Sequence, residues 1–212
     1  MESNVLVAKE RSLLNFQALR NPVELIGCEE LLPIFTNIFR DMEITRTDAT
    51  GNQSSVISVE KSANGYRRVS PWLEKPVVFT DPLDAACDCT VDLIHAFVAD
   101  NPGYLCLHTA AASFNQGLVL FPSFYRTGKS TLSVHLASMG VQLFTDDALP
   151  VTADDNKAFV LGIYPRLRLP LPENVTEAFR AFVQNRAGVG NKYSCYIKLN
   201  TDELASYGTT AS

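Results

Sequence analysis

The chain has 212 residues, of which 46% are hydrophobic and 19% charged, the mixture typical of a folded globular protein. This length suffices for one domain with a sizeable core, or for one domain with a small accessory layer. The net charge of −5 argues against a nucleic-acid surface, because no basic cluster is present to neutralise phosphates.

Targeting and redox signals are also absent from the sequence. No apolar run approaches the ~20 residues of a membrane span, and charges at Lys9, Glu10 and Arg11 interrupt any apolar leader region. Five cysteines is an odd number in a chain too long to depend on disulfides, and Cys87 and Cys89 lack a second pair at zinc-binding spacing. We therefore predict a cytoplasmic protein with reduced thiols and no membrane or nucleic-acid partner. The oligomeric state stays open, with a homo-oligomer as one option.

Residues 1–100 are predicted to form an α+β layer with little visible chemistry. Residues 24–40 carry helical spacing interrupted by Pro33, and a second helix is predicted at 84–99. The segments 56–60 and 66–69 flank Asn64-Gly65, which is a strong hairpin signal between β-prone sequences. A third strand is expected at residues 76–79.

The second half opens with a predicted hairpin. Strands at residues 105–108 and 117–122 flank a turn at Asn115-Gln116-Gly117. If the turn is centred there, residues of the two strands pair when their numbers sum to roughly 231. His108 then lies opposite Ser123. A lone strand histidine is commonly a satisfied core or edge residue, so this position leaves a functional and a structural role open.

The most informative segment is residues 123–131, Ser-Phe-Tyr-Arg-Thr-Gly-Lys-Ser-Thr. It has the form of a phosphate-binding loop whose first glycine is replaced by Ser123, and we expect this small side chain to be tolerated. A helix is predicted at 129–139, with Leu132, Leu136 and Met139 as an apolar stripe and Gly140 as C-cap. Backbone N–H groups at such a strand–loop–helix junction bind phosphate oxygens.

The loop predicts a site for ATP with Mg²⁺. Lys129 would reach the outer phosphates, and the Ser130 hydroxyl would ligate the metal. Arg126 could touch a phosphate or remain solvated. The residues predicted to contact the nucleotide are Ser123, Arg126, Thr127, Gly128, Lys129, Ser130 and Thr131.

Asp146-Asp147 follows a predicted strand at residues 141–145. A right-handed crossover places this strand parallel to strand 117–122 in one sheet, so the aspartates lie close to the phosphate loop. Asp146 suits a metal contact and Asp147 the acceptance of a proton, although the two roles could be exchanged. The alternative is that this acidic pair is only a turn or a helix cap.

Further elements are predicted towards the C-terminus. They are a hairpin at 151–163 turning at Asp154-Asp155-Asn156, a helix at 172–184, a loop at 188–190, a strand at 192–199 and a frayed tail at 209–212. Arg166 and Arg168 alternate in an extended segment and so share a face. A surface stripe is the favoured interpretation of this pair, with charge stabilisation as the alternative.

Residues 105–170 resemble the catalytic domain of the bacterial HPr kinase/phosphorylase family and its shorter HPr-kinase-like relatives. The motifs that carry the resemblance are Leu107-His108-Thr109-Ala110, Gly117-Leu118-Val119-Leu120, Gly128-Lys129-Ser130-Thr131, Phe144-Thr145-Asp146-Asp147 and Arg166-Leu167-Arg168-Leu169. The resemblance implies a protein of the α/β class with mixed α+β structure. Residues 101–212 would form a P-loop core related to phosphoenolpyruvate carboxykinase.

The resemblance also implies ATP- and Mg²⁺-dependent phosphorylation of a serine hydroxyl. It implies catalytic work for His108 and Asp147, nucleotide contacts for residues 128–131, and metal contacts for Ser130 and Asp146. The family's later glycine-rich segment, linked to dephosphorylation, is not recognisable, so a phosphatase activity is not predicted. The acceptor is left open as a protein or peptide serine or a small hydroxyl compound. The rival interpretations are a non-catalytic nucleotide-binding module with a degenerate loop, and a purely structural domain.

Overall fold

A computed structural model describes residues 9–49, 55–115, 117–122 and 127–212. These residues form four helices and fifteen strands, so the fold class is mixed α+β. In chain order the elements are β1 (Arg11–Phe16), β2 (Val23–Ile26), α1 (Leu31–Ile38), β3 (Ile44–Asp48), β4 (Ile57–Ser62), β5 (Gly65–Val69), β6 (Val77–Phe79), α2 (Pro82–Asp100), β7 (Tyr104–Phe114), β8 (Gly117–Pro122), α3 (Lys129–Ser138), β9 (Leu143–Thr145), β10 (Ala148–Thr152), β11 (Ala158–Phe159), β12 (Arg166–Arg168), α4 (Glu177–Arg186), β13 (Ala187–Gly190), β14 (Ser194–Ile197) and β15 (Thr210–Ala211).

The chain divides into two compact units, residues 1–32 with 43–93, and residues 33–42 with 94–212. The first unit contains one sheet of strand order β3-β1-β2-β4-β5-β6, in which only the β2–β4 pair is parallel among the described strands. The predicted hairpin is confirmed as β4–β5. Gly65 there has φ +118°, and a Cβ would lie 2.1 Å from the Phe79 carbonyl oxygen, so this turn requires glycine.

The helical prediction for residues 24–40 is wrong in its first part. Val23 and Leu25 are fully buried and alternate with less buried neighbours, the period of a strand, and they form β2. The helix begins only at Leu31, after a left-handed turn at Gly27. Pro33 is tolerated because it lies in the first turn of α1, where the backbone N–H has no partner within the helix. The predictions of β6 and α2 are confirmed.

The second unit is built around β7, which pairs along both of its edges. Its first half pairs with β10, and its second half lies between β8 on one edge and β9 on the other. The β7–β8 pairs run from Thr109 with Pro122 to Phe114 with Gly117, a constant sum of 231. The predicted hairpin register is therefore confirmed over the described residues.

The strands before and after α3 have the predicted relationship. Both β8 and β9 are antiparallel to β7, so they are parallel to each other with β7 between them. Their carboxyl ends consequently lie at the same end of the sheet. β9 is shorter than predicted, because the chain turns at Gly140, with φ +83°, and first pairs with β7 at Leu143.

The predicted apolar stripe of α3 is correct at Leu136, which is partly buried against a core cluster, and wrong at its other two members. Leu132 and Met139 are 43% and 69% exposed, and the buried residues are Ser133, Val134 and Ala137. Val134 and Ala137 belong to a core cluster with residues of β7 and β9. Small side chains let the helix approach the alanine-rich middle of β7 closely. The fully buried face of α3 therefore carries its small residues instead of its largest apolar ones.

Towards the C-terminus the predicted hairpin is present as β10–β11, which spans residues 148–159 instead of 151–163, and the predicted strand at 192–199 is present as the shorter β14. The helix α4 begins at Glu177 instead of residue 172, because the Thr176 hydroxyl caps it by accepting from the Phe179 N–H at 3.2 Å. The predicted loop at 188–190 is part of β13, which pairs with β14. The predicted frayed tail contains β15, which pairs with β11.

Candidate functional site

The described part of the predicted phosphate loop starts at Thr127, so Ser123 and Arg126 lie outside the described residues. Gly128 has φ 89° and ψ 15°, a left-handed conformation that glycine adopts without strain, and it directly precedes α3. No side chain of the described residues caps this helix start. The first-turn N–H groups, including those of Ser130 and Thr131, have no acceptor within the helix, and N–H groups at such a position can bind an anion.

Three predicted site residues meet beside this helix start. The Lys129 ammonium lies 2.9 Å from Asp147 Oδ1 and 3.0 Å from His108 Nε2. His108 Nδ1 lies 3.4 Å from the same Asp147 oxygen. The Lys129 side chain is only 9% exposed, whereas those of His108 and Asp147 are 58% and 57% exposed. A sheltered cation is thus held by two groups that face solvent.

The geometry assigns the His108 tautomer. An ammonium group only donates hydrogen bonds, so Nε2 must be the acceptor in the contact with Lys129. The neutral ring then carries its proton on Nδ1, which faces Asp147. At 3.4 Å this second contact exceeds the usual 2.7–3.2 Å range of an N–H···O hydrogen bond and is mainly electrostatic.

The backbone fixes these positions. His108 pairs with Ala148 across β7 and β10, and the Thr109 N–H donates to the Asp147 carbonyl oxygen at 3.1 Å. Asp147 therefore lies in the short connection between β9 and β10, and both of these strands pair with β7. The first residue of α3 brings Lys129 to the same point.

Asp146 faces a different environment from its neighbour. It is 5% exposed, and burial raises its pKa, while the hydroxyls of Ser133 and Ser130 and the charge of Lys129 act in the opposite direction. Among the described residues Asp146 Oδ1 has no hydrogen-bond partner of normal geometry, and neither has Ser133 Oγ. Such orphaned buried polar atoms are rare in folded proteins, and a bound cation would satisfy the carboxylate oxygen.

Within the described ranges no group of three or more His, Cys, Asp or Glu side chains could hold a metal ion. A Mg²⁺ ion that binds together with a nucleotide needs no such cluster, because one or two protein oxygens and the phosphates supply its ligands. Asp146 and Ser130 fit that role, since the carboxylate has an unsatisfied oxygen and the hydroxyl lies beside it.

Cysteine chemistry is disfavoured at this site. Cys106 lies in β7, two residues from His108. Burial, and secondarily the charge of Asp147, raise the pKa of its thiol to about 11. The reactive thiolate is therefore scarce at neutral pH.

The remaining predicted residues lie near the site or apart from it. Thr127 and Gly128 are exposed, and Thr131 is half-buried at the start of α3. Arg166 and Arg168 flank the buried Leu167 in β12 and share a face, as predicted, and Arg166 donates to the Ser194 hydroxyl at 2.9 Å. Ser133 was not among the predicted site residues; its spacing of three from Ser130 places both on one helix face.

Asp146→Asn is expected to stabilise the metal-free protein at neutral pH. The pKa of Asp146 is raised above its usual 3.8, so protonation favours the folded state. This contribution to the free energy of unfolding is fully present below the pKa of Asp146 in the unfolded chain. It is lost as pH rises through the raised pKa of Asp146 in the folded protein. Urea midpoints measured with EDTA from about pH 4 to 8 should therefore fall less with pH in the variant. Asp154→Asn, in the exposed β10–β11 turn, is the control; an Asp146 variant less stable than the parent at neutral pH would contradict this interpretation.

No protein-family model and no curated protein sequence matches this chain. Within the described residues, no helix combines the length and apolar character needed to cross a bilayer.

Proposed function

We propose that this protein is an HPr-kinase-like P-loop phosphotransferase that moves the γ-phosphoryl group of ATP to a hydroxyl with the help of Mg²⁺. Residues 101–212 would form its P-loop core. The observation that carries the proposal is the contact of Lys129 with both Asp147 and His108 at an uncapped helix start, with the buried Asp146 beside it. Phosphoryl transfer requires these parts: a cradle, a cation-binding carboxylate and a proton acceptor.

In the nucleotide-free state Lys129 neutralises Asp147. When ATP binds, its phosphate oxygens compete for the same ammonium group, and Lys129 is drawn from the carboxylate to the phosphates. Asp147 then becomes available to accept the proton of the attacking hydroxyl. Nucleotide binding thereby activates the base.

His108 would remain beside Asp147 when Lys129 moves to the phosphates. With its proton on Nδ1, the ring faces the carboxylate and orients it after Lys129 has left. Ser130 and Asp146 would hold Mg²⁺, which supplies charge neutralisation at the phosphate oxygens. The N–H groups of residues 128–131 would bind the phosphates themselves.

The acceptor approaches from solvent in this arrangement. More than half of the side-chain surface of both His108 and Asp147 is exposed, so a serine on a protein or peptide, or a small hydroxyl compound, could reach the base. The five cysteines are free thiols, which supports a reducing, cytoplasmic location as part of the proposal.

Stabilisation by nucleotide tests the proposal. ATP with Mg²⁺ at about 1,000 times its Kd should raise the free energy of unfolding by about 4 kcal/mol. EDTA should reduce this gain, and slow release of γ-phosphate to water should accompany binding. Stabilisation without turnover would indicate a non-catalytic nucleotide-binding module. No stabilisation at all would overturn the proposal and favour a structural domain.

A further inference from the structure

Ser133 is a buried hydroxyl beside the proposed metal-binding carboxylate, and the phosphate-loop motif does not include it. It lies one turn after Ser130 on α3 and is 1% exposed. Its hydroxyl, like that of Ser130, acts on the carboxylate of Asp146. Ser133 is buried, whereas Ser130 is half-buried in the first turn of α3.

Neither partner of this contact is satisfied. Ser133 Oγ and Asp146 Oδ1 are both buried and have no hydrogen bond of normal geometry to any described residue. A buried polar atom without a partner costs about 1–3 kcal/mol, and a charged one costs more. Because the Ser133 hydroxyl acts on this carboxylate, a hydrogen bond from one to the other would satisfy both atoms when the carboxylate is held as an anion.

We propose that Ser133 is a positioning residue for the divalent cation, because its hydroxyl donates to the carboxylate of Asp146 and thereby fixes the orientation of that carboxylate towards the metal that ATP carries. The proposal rests on the proposed function, since it requires Mg²⁺ to bind at Ser130 and Asp146. Ser133 itself touches neither the metal nor the nucleotide.

The expected consequence is a selective loss of metal affinity. Hydrogen-bond partners of metal ligands typically contribute about 10- to 100-fold to metal affinity. Ser133→Ala should therefore weaken Mg²⁺ binding to the protein–ATP complex by about tenfold or more. Metal-free ATP should bind within about twofold of the parent, because Lys129 and the backbone amides hold its phosphates.

The experiment uses the full chain and two titrations. The first measures ATP affinity in EDTA, and the second measures the affinity of the ATP complex for Mg²⁺, with Mn²⁺ as a paramagnetic probe of the same site. Ser133→Thr keeps the hydroxyl and should restore metal affinity to within a few-fold of the parent. Ser138→Ala is the control on the same helix, since the Ser138 hydroxyl donates to the His135 carbonyl oxygen at 2.7 Å within that helix.

The outcomes separate this proposal from the proposed function. If the parent binds Mg²⁺ and ATP and Ser133→Ala keeps the parent's metal affinity, the role of Ser133 is overturned and the proposed function stands. If Ser133→Ala also loses affinity for metal-free ATP and melts at a lower temperature, Ser133 only supports the fold. That result also overturns the proposed role of Ser133. Ser133→Cys, of similar size but a weak donor, should reproduce the metal defect and provides the same test if the alanine variant does not fold. A parent without ATP binding would overturn both proposals.

Discussion

Asp147→Asn is expected to lower the rate of phosphoryl transfer by about 10²- to 10⁴-fold, the usual contribution of a positioned general base. Release of γ-phosphate to water can be measured without knowing the natural acceptor. The amide keeps the shape of the carboxylate but cannot take the hydroxyl proton. The defect should therefore appear in the turnover number.

The same variant should bind ATP at least as tightly as the parent. In the resting protein Asp147 holds Lys129 at 2.9 Å, and ATP must break this contact. An ion pair with an exposed partner contributes about 0.2–1 kcal/mol, so its removal should raise ATP affinity by up to about fivefold. Asp154→Asn should change neither quantity. Unchanged turnover in Asp147→Asn would assign the base to another group, and weakened ATP binding would contradict competition for Lys129.

Local sequence signals predicted the frame of the site. The turn at Asn115 fixed the β7–β8 register, and the strand–helix–strand order brought Asp147 to the end of the sheet from which α3 begins. These are properties of neighbouring segments, because a hairpin register depends on its turn and a crossover depends on two parallel strands. They required no knowledge of the rest of the fold.

Features that depend on distant packing were not predictable. Periodicity alone favoured Leu132, Leu136 and Met139 as the buried face of α3, but only Leu136 packs against the core, and the fully buried residues include the smaller Ser133 and Ala137. The resting contact between Lys129 and Asp147 depends on side-chain placement that spacing does not specify.

Another long-range feature had no signal in the sequence. Arg40 is 6% exposed, and its guanidinium donates to the carbonyl oxygens of Leu199, Asn200 and Leu204. These residues lie about 160 positions further along the chain, within the same compact unit. Because a guanidinium can satisfy several carbonyls at once, one buried arginine ties the segment after α1 to the chain beyond β14.

Lys129→Ala is expected to remove most of the affinity for ATP. Its ammonium group is the sheltered cation at the start of α3, and it would exchange Asp147 for phosphate oxygens on binding. Hydrogen bonds to charged groups contribute about 1.5–3 kcal/mol each, so loss of one such contact should weaken ATP binding by about 10- to 150-fold. The variant also frees Asp147 from its partner, which adds negative charge near the phosphates and weakens binding further.

A matched control separates this effect from a general loss of positive charge. Lys157 pairs with Asp155 at 2.6 Å in the β10–β11 turn, as Lys129 pairs with Asp147, but it is 54% exposed. Lys157→Ala removes the same charge from the protein and should bind ATP like the parent. Both variants should keep the parent's far-ultraviolet circular dichroism.

The central claim is that the amides of residues 128–131 and the Lys129 ammonium bind the phosphates of ATP. The most direct test is the Kd of ATP with Mg²⁺, measured by calorimetric titration of the parent, Lys129→Ala and Lys157→Ala. We expect the Kd to rise at least about tenfold in Lys129→Ala alone. A Lys129→Ala variant that binds ATP as tightly as the parent would contradict the assignment of this site.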